Sequence, residues 1–213
     1  MPRSLPAFLQ SDHISSRTRS ILLDRMKQEQ GHRENLSQEA FDLLQIVCDD
    51  ILPQEPLLGD VRLNLAVMID HALAGSGDGW RFAELPTDLK AWEAGLASLN
   101  CYASALFSQT YADLNAGQRG TVLDKAFDGS LPHHLSAPLS PAQMTLWSGD
   151  LRNTIVATFL AHPITQEKLG ISSNMTGGDT RIQGFSSDSL TRKETFEPEN
   201  ERRFSVPSQT GNE

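Results

Sequence analysis

Phe41, Leu44, Val47, Cys48, Ile51 and Leu52 recur at the spacing of one helical face. Ser37 precedes them, and its hydroxyl can cap the first free backbone N–H groups of a helix. Leu36 and Phe41 stand where a hydrophobic staple packs around that cap. Pro53 should end the run, because proline lacks the N–H that the next turn needs. Val61, Leu65, Met68, Ile69 and Ala72 form a second apolar face and predict a helix over residues 60–74. The run Gly75-Ser76-Gly77-Asp78-Gly79 then breaks it. After Pro86-Thr87 a longer helix is expected, with Leu89, Trp92, Leu96, Leu99, Ala103 and Leu106 on one stripe and Phe107 beside it.

Local start signals are sharpest in the second half. Asn115 and Gln118 have capping-box spacing ahead of Val122, Leu123, Ala126 and Phe127. In Leu139-Ser140-Pro141-Ala142-Gln143-Met144, Ser140 can cap, Pro141 suits the first helical position and Gln143 can reach back to the cap. Leu139 and Met144 complete a staple. The helix that follows carries Trp147, Leu151, Ile155, Phe159 and Leu160 and should end at His162-Pro163. Alternation of the strand kind is weak throughout, so the fold class is all-α, a compact helical domain of about five to six helices.

Both ends of the chain are polar. Residues 1–35 read as an N-terminal extension, with one short amphipathic helix over residues 16–30 using Ile21, Leu22 and Met26 and stopped by Gly31. Residues 36–170 form the helical domain. Residues 171–213 are rich in Ser, Thr, Gly, Asn and charge, with Phe185, Phe196 and Phe204 isolated. Such a segment buries too little surface to offset its ordering entropy alone. It is expected to be an irregular arm, disordered or ordered by a partner.

At 213 residues and 38% hydrophobic content, the chain can bury one core but hardly two. Its net charge of −9 argues against nucleic acid, which attracts basic surfaces. No apolar run approaches the roughly 18–20 residues that span a bilayer. Ser16-Arg17-Thr18-Arg19 separates its arginines, and Ile21-Leu22-Leu23 is short for a signal core, so no export signal is expected and synthesis and folding are placed in the cytoplasm. Cys48 and Cys101 fall within expected helices and read as buried thiols. A disulfide between them would need an oxidising compartment. The chain has no CxxCH, which excludes covalent c-type haem.

Candidate chemistry is sparse. A di-metal helical bundle needs paired Glu-x-x-His motifs on facing helices, and only Glu29-Gln30-Gly31-His32 fits, with a glycine inside it. His133-His134 follow Pro132 in an expected loop, without carboxylates nearby to complete a metal site. Asp70-His71 suggests an acid/base pair, but helical neighbours point about 100° apart, so the pair reads as a solvated face. The glycine run lacks the Lys-Ser/Thr and the preceding strand of a phosphate loop. Trp92 and Trp147 sit on apolar stripes and read as core. Trp80 and Arg81, at the edge of the glycine run, are residue types that anchor protein interfaces. Gly177 and Gly178, within Asn174-Met175-Thr176-Gly177-Gly178-Asp179, offer a second place where backbones can approach closely, or a plain exposed turn. No catalytic, cofactor-binding or metal-binding residue is assigned.

The order of features along the chain carries a resemblance. Ile51-Leu52-Pro53 ends an early helix. Gly59, Ile69-Asp70 and the loop over residues 75–81 come next, followed by Ala94-Gly95-Leu96, Leu99, Phe107 and Leu114. Ala161-His162-Pro163, Gly170 and Gly177-Gly178 close the series. This order, over residues 37–179, resembles the gluconate 2-dehydrogenase subunit 3 family, the small helical subunits of membrane-associated flavin dehydrogenase complexes. The resemblance implies a non-catalytic subunit beside a large FAD-containing subunit of the glucose-methanol-choline (GMC) type, often with a cytochrome c subunit that carries haem c. The large subunit would oxidise gluconate, another sugar or an alcohol. Family members commonly carry a twin-arginine signal that assists export of the complex. This sequence departs from that feature, so export would depend on the partner, and the complex is either cytoplasmic or periplasmic and membrane-associated.

The expected function is therefore an accessory subunit that binds and stabilises a flavoprotein dehydrogenase, through the loop over residues 75–81 and the C-terminal arm. The alternatives are an autonomous helical metal-dependent enzyme and a standalone helical adaptor.

Overall fold

The computed structural model describes residues 6–10, 14–75, 82–133, 136–171 and 178–179. Among these the chain is helical, with eight α-helices, two short 3-10 turns and no strand. Two compact units are present, residues 24–161 and residues 1–23 with 162–213.

The larger unit is built around three helices. α2 (Gln38–Ile51), α5 (Asp88–Phe107) and α7 (Pro141–Ala161) pack on one another. α4 (Leu65–Ala72) lies on α2 and α7, and α6 (Ala116–Asp128) lies on α7, α5 and α2. Leu44, Val47, Leu96, Leu99, Val122, Trp147, Leu151 and Ile155 are fully enclosed between them. Burying a side chain of this size is worth about 1.5–3 kcal/mol, so the stripes account for the arrangement.

The starts of α2, α6 and α7 fall where their caps predict. Ser37 Oγ accepts the Ala40 N–H at 3.2 Å. Ser37 in turn donates its own N–H and its hydroxyl to Glu93 on α5, which ties the start of α2 to that helix. Asn115 and Gln118 form a complete capping box at α6. Ser140 and Gln143 exchange the same pair of bonds at α7. The staple residue Leu139 is held from α5, its N–H by Ser98 Oγ at 2.9 Å and its carbonyl by the Tyr102 hydroxyl at 3.1 Å.

Four expectations need correction. Residues 60–64 are not helical. α2 ends at Ile51, a one-turn helix α3 (Glu55–Leu58) follows, and Gly59 turns the chain at a φ of +65°. The buried Gln54 side chain then grips Leu63 from both sides, donating to its carbonyl at 3.0 Å and accepting its N–H at 2.8 Å. The chain is thus held open until Asn64 caps α4. Second, His162-Pro163 ends α7 but also opens α8 (Pro163–Leu169), with His162 Nδ1 accepting the Ile164 N–H at 3.3 Å. Third, Leu160 is exposed, so the α7 stripe stops at Phe159. Fourth, Cys101 is only half-buried, whereas Cys48 is enclosed. Both thiols are free, with no disulfide between them.

The smaller unit contains a 3-10 turn at Ala7–Gln10, the first part of α1 (Ser16–Gln28), and α8. Asp179 lies at the start of α1. Its carboxylate accepts the Ser16 N–H at 3.0 Å on each oxygen and the Ser16 hydroxyl at 3.3 Å. A carboxylate at a helix N-terminus satisfies unpaired donors and complements the helix dipole.

Candidate functional site

Asp70 and His71 are the nearest thing to a chemical pair, and the structure gives them a different task. Asp70 is fully buried, contrary to the solvated face expected of it. Its carboxylate accepts three successive backbone N–H groups, from Glu34 at 2.6 Å, Asn35 at 3.1 Å and Leu36 at 2.7 Å. The Asn35 side chain donates back to the Asp70 carbonyl at 2.8 Å. His71 reaches the same loop one turn earlier, its Nε2 lying 2.9 Å from the His32 carbonyl. Gly31 lies against the His71 ring so closely that a Cβ at that position would overlap Cε1.

The two side chains therefore diverge, as helical neighbours must, yet both hold the loop over residues 31–36. Hydrogen bonds to a charged group are worth about 1.5–3 kcal/mol each. A carboxylate whose oxygens are filled by backbone donors fixes a loop and is not presented to a substrate. The loop it fixes delivers Leu36 and Ser37 to the start of α2.

A second polar cluster ties α2 to α6. Asp50 takes the Arg119 Nε at 3.0 and 2.8 Å and the Tyr111 hydroxyl at 3.0 Å, while Arg119 Nη1 bonds the Leu114 carbonyl at 2.7 Å. Burial, and then the Asp50 carboxylate beside it, pushes the Tyr111 phenol upward and keeps it neutral. Burial also raises the Cys48 thiol. Cys48 is thus inert, since the thiolate is the reactive form.

The expected contact residues fall unevenly. Trp80, Arg81 and Gly177 lie outside the described residues, as does His134. Gly178 is half-buried and precedes the Asp179 that caps α1. On the far side of the glycine run, Phe82 is 42% exposed. It opens a turn closed by the Leu85 N–H on the Phe82 carbonyl at 3.1 Å. Gln143 pins this turn to α7 by donating to the Glu84 carbonyl at 2.7 Å. Phe82 directly follows Trp80-Arg81 in the sequence.

Trp92 and Trp147 meet edge to face, with ring centroids 6.1 Å apart. Gly95 makes the approach possible, because a Cβ there would overlap the Trp147 ring. His133 is exposed. Among the described residues no three His, Cys, Asp or Glu side chains are grouped so as to hold a metal ion. No described helix is long and apolar enough to cross a membrane.

Compared with known proteins, residues 38–178 match the model of the family described as gluconate 2-dehydrogenase subunit 3. The match starts at the first residue of α2 and takes in every later helix. No curated protein and no solved structure matches the chain.

Proposed function

The chain belongs to the gluconate 2-dehydrogenase subunit 3 family, and from that premise we propose that it is a non-catalytic accessory subunit that binds and stabilises an FAD-dependent GMC-type dehydrogenase. The flavin resides in that large subunit, which oxidises gluconate, another sugar or an alcohol, and haem c resides in a further cytochrome subunit where one is present. This chain contributes a rigid helical platform.

The observation that carries this reading is the family match across α2 to α8. The polar groups that look most like chemistry support it. Asp70 and His71 hold a loop, and Asp50, Arg119 and Tyr111 hold two helices and a turn together. Contacts with the large subunit are assigned to Trp80 and Arg81, with Phe82 beside them, and to Gly177 and Gly178. Aromatic and arginine side chains contribute most where they are desolvated at the centre of an interface.

Co-expression of the tagged chain with a GMC-type flavoprotein dehydrogenase from the same organism tests the reading. A yellow complex that survives affinity and size-exclusion steps is the expected result. A colourless chain that elutes alone, while the flavoprotein is soluble in the same lysate, would overturn it.

A further inference from the structure

A cavity of about 380 Å³ lies in the larger unit, between the loop over residues 31–33, the first turn of α2 and the start of α4. Small-molecule sites run from about 300 to 1,000 Å³. Phe41 and Val67 border the cavity and are themselves buried, so its apolar part is made of packed core side chains. The loop at its end is fixed in advance. His71 holds that loop at the His32 carbonyl, and Asp70 holds it at the Glu34 N–H.

Arg33 borders the same cavity and is half-buried. Its Nε donates to Gln38 Oε1 at 3.2 Å and its Nη1 donates to the Leu36 carbonyl, which fixes the plane of the guanidinium. Three of its five N–H groups, both on Nη2 among them, meet no acceptor among the described residues. Such a planar fork matches the two oxygens of a carboxylate. Asn64, on the same border, uses its oxygen on the Val67 N–H at 3.3 Å and leaves its NH2 group available. Gln38 is engaged at both ends, its oxygen on Arg33 and its NH2 group on Asp42 at 2.7 Å. The side-chain amide oxygens around the cavity are therefore occupied, and Arg33 and Asn64 present only donors.

Among the described residues no carboxylate borders the cavity. Those attached to its neighbours are engaged elsewhere: Asp42 with Gln38, Glu34 at 3.7 Å from His71 Nε2, and Asp70 with three backbone N–H groups. An anion thus has one local cation to meet and no local repulsion from the lining. The chain as a whole carries −9, which opposes polyanions and doubly charged phosphates at long range. A single negative charge on an apolar body is the chemistry that fits.

We propose that this cavity is a binding site for a small monocarboxylate with an apolar body. Its carboxylate bonds the free N–H groups of Arg33, with the Asn64 amide as a further donor, and its body lies on Phe41 and Val67. The site lies wholly within this chain and does not depend on the subunit reading.

Benzoate, titrated into the full isotope-labelled chain and followed by NMR, tests it. Saturable shifts of the Phe41 and Val67 amides and of the Arg33 Nε–H are expected, with a Kd of about 1 mM or tighter. Benzyl alcohol keeps the ring without the charge, and inorganic phosphate keeps charge without the ring. Each should bind at least about tenfold more weakly. An acetylated, amidated glutamate presents a carboxylate as a protein side chain would, and should also be at least about tenfold weaker. Arg33→Gln should weaken benzoate by a similar factor. Asn64→Asp keeps a capping residue for α4 while placing a carboxylate in the cavity, so it should do the same with the fold intact. Absence of saturable benzoate binding up to about 10 mM would overturn the proposal. So would unchanged binding in Asn64→Asp, or equal binding of benzyl alcohol or phosphate. Equal binding of the glutamate derivative would assign the site to a protein side chain and overturn a free ligand.

Discussion

Asp70 accepts the backbone N–H of Leu36 at 2.7 Å, joining the end of α4 to a residue 34 positions earlier in the chain. Glu34 and Asn35 donate to the same carboxylate, so one buried charge holds the turn that leads into α2. Two consequences follow. The start of α2 is fixed by a side chain two elements away, and the loop over residues 31–36 is fixed with it.

Asp70→Asn turns one acceptor into an NH2 donor facing backbone N–H groups. Loss of a charge-assisted bond and an unmet donor should destabilise the chain by about 2–4 kcal/mol. Urea denaturation measures this as a fall in midpoint with an unchanged slope. A change below about 0.5 kcal/mol, as at ordinary surface positions, would contradict the buried anchor.

Gly95→Ala and Gly120→Ala should differ in sign. The first adds a methyl group that overlaps Trp147 and should cost about 1–3 kcal/mol, with a shift in tryptophan emission. The second adds a methyl group in α6 with open space around it, and should raise stability by up to about 1 kcal/mol through helix propensity. Paired thermal melts compare the two directly.

Alkaline pH should weaken the fold through Cys48 and Tyr111. Both are held protonated by burial, so each has a pKa in the folded chain above its unfolded value. Their contribution is present below the unfolded pKa, 9.0 for the thiol and 10.0 for the phenol, and is lost as pH rises beyond it. Each group contributes a slope of up to about 1.4 kcal/mol per pH unit there. Cys48→Ala should flatten the curve from the lower of these two values, and Tyr111→Phe from the higher. Slopes unchanged in both variants would contradict the assignment.

The two thiols should also react unequally. Cys101 is half-buried and Cys48 enclosed, so a thiol reagent should label one cysteine per native chain and both in denaturant. Rapid labelling of Cys48 in native buffer would mean that α2 opens far more readily than its packing allows.

Legibility in the sequence followed the range of each interaction. Ser37, the Asn115–Gln118 pair and the Ser140–Gln143 pair were readable because a cap and its donor lie within a few residues. The apolar stripes of α2, α5 and α7 were readable for the same reason. The role of Asp70 is not legible, because its partners are backbone N–H groups some 34 residues away and backbone leaves no mark on composition. α3 leaves no signal because four residues hold no periodicity, and the open conformation of residues 60–64 depends on Gln54–Leu63 bonds that the apolar spacing does not register. The capping role of His162 is not legible, since histidine is not among the usual capping residues. Of the proposed contact surface, Trp80, Arg81 and Gly177 lie outside the described residues, and Phe82 entered only through its exposure.

Binding of a flavin-bearing dehydrogenase subunit is the property on which the proposed function depends. Sedimentation velocity of the purified flavoprotein, followed at the flavin absorbance while the purified chain is added, measures it. A saturable shift of the flavin signal to a larger species is expected, with added thermal stability of the flavoprotein. A flavin boundary that stays in place at every concentration of the chain would contradict the claim.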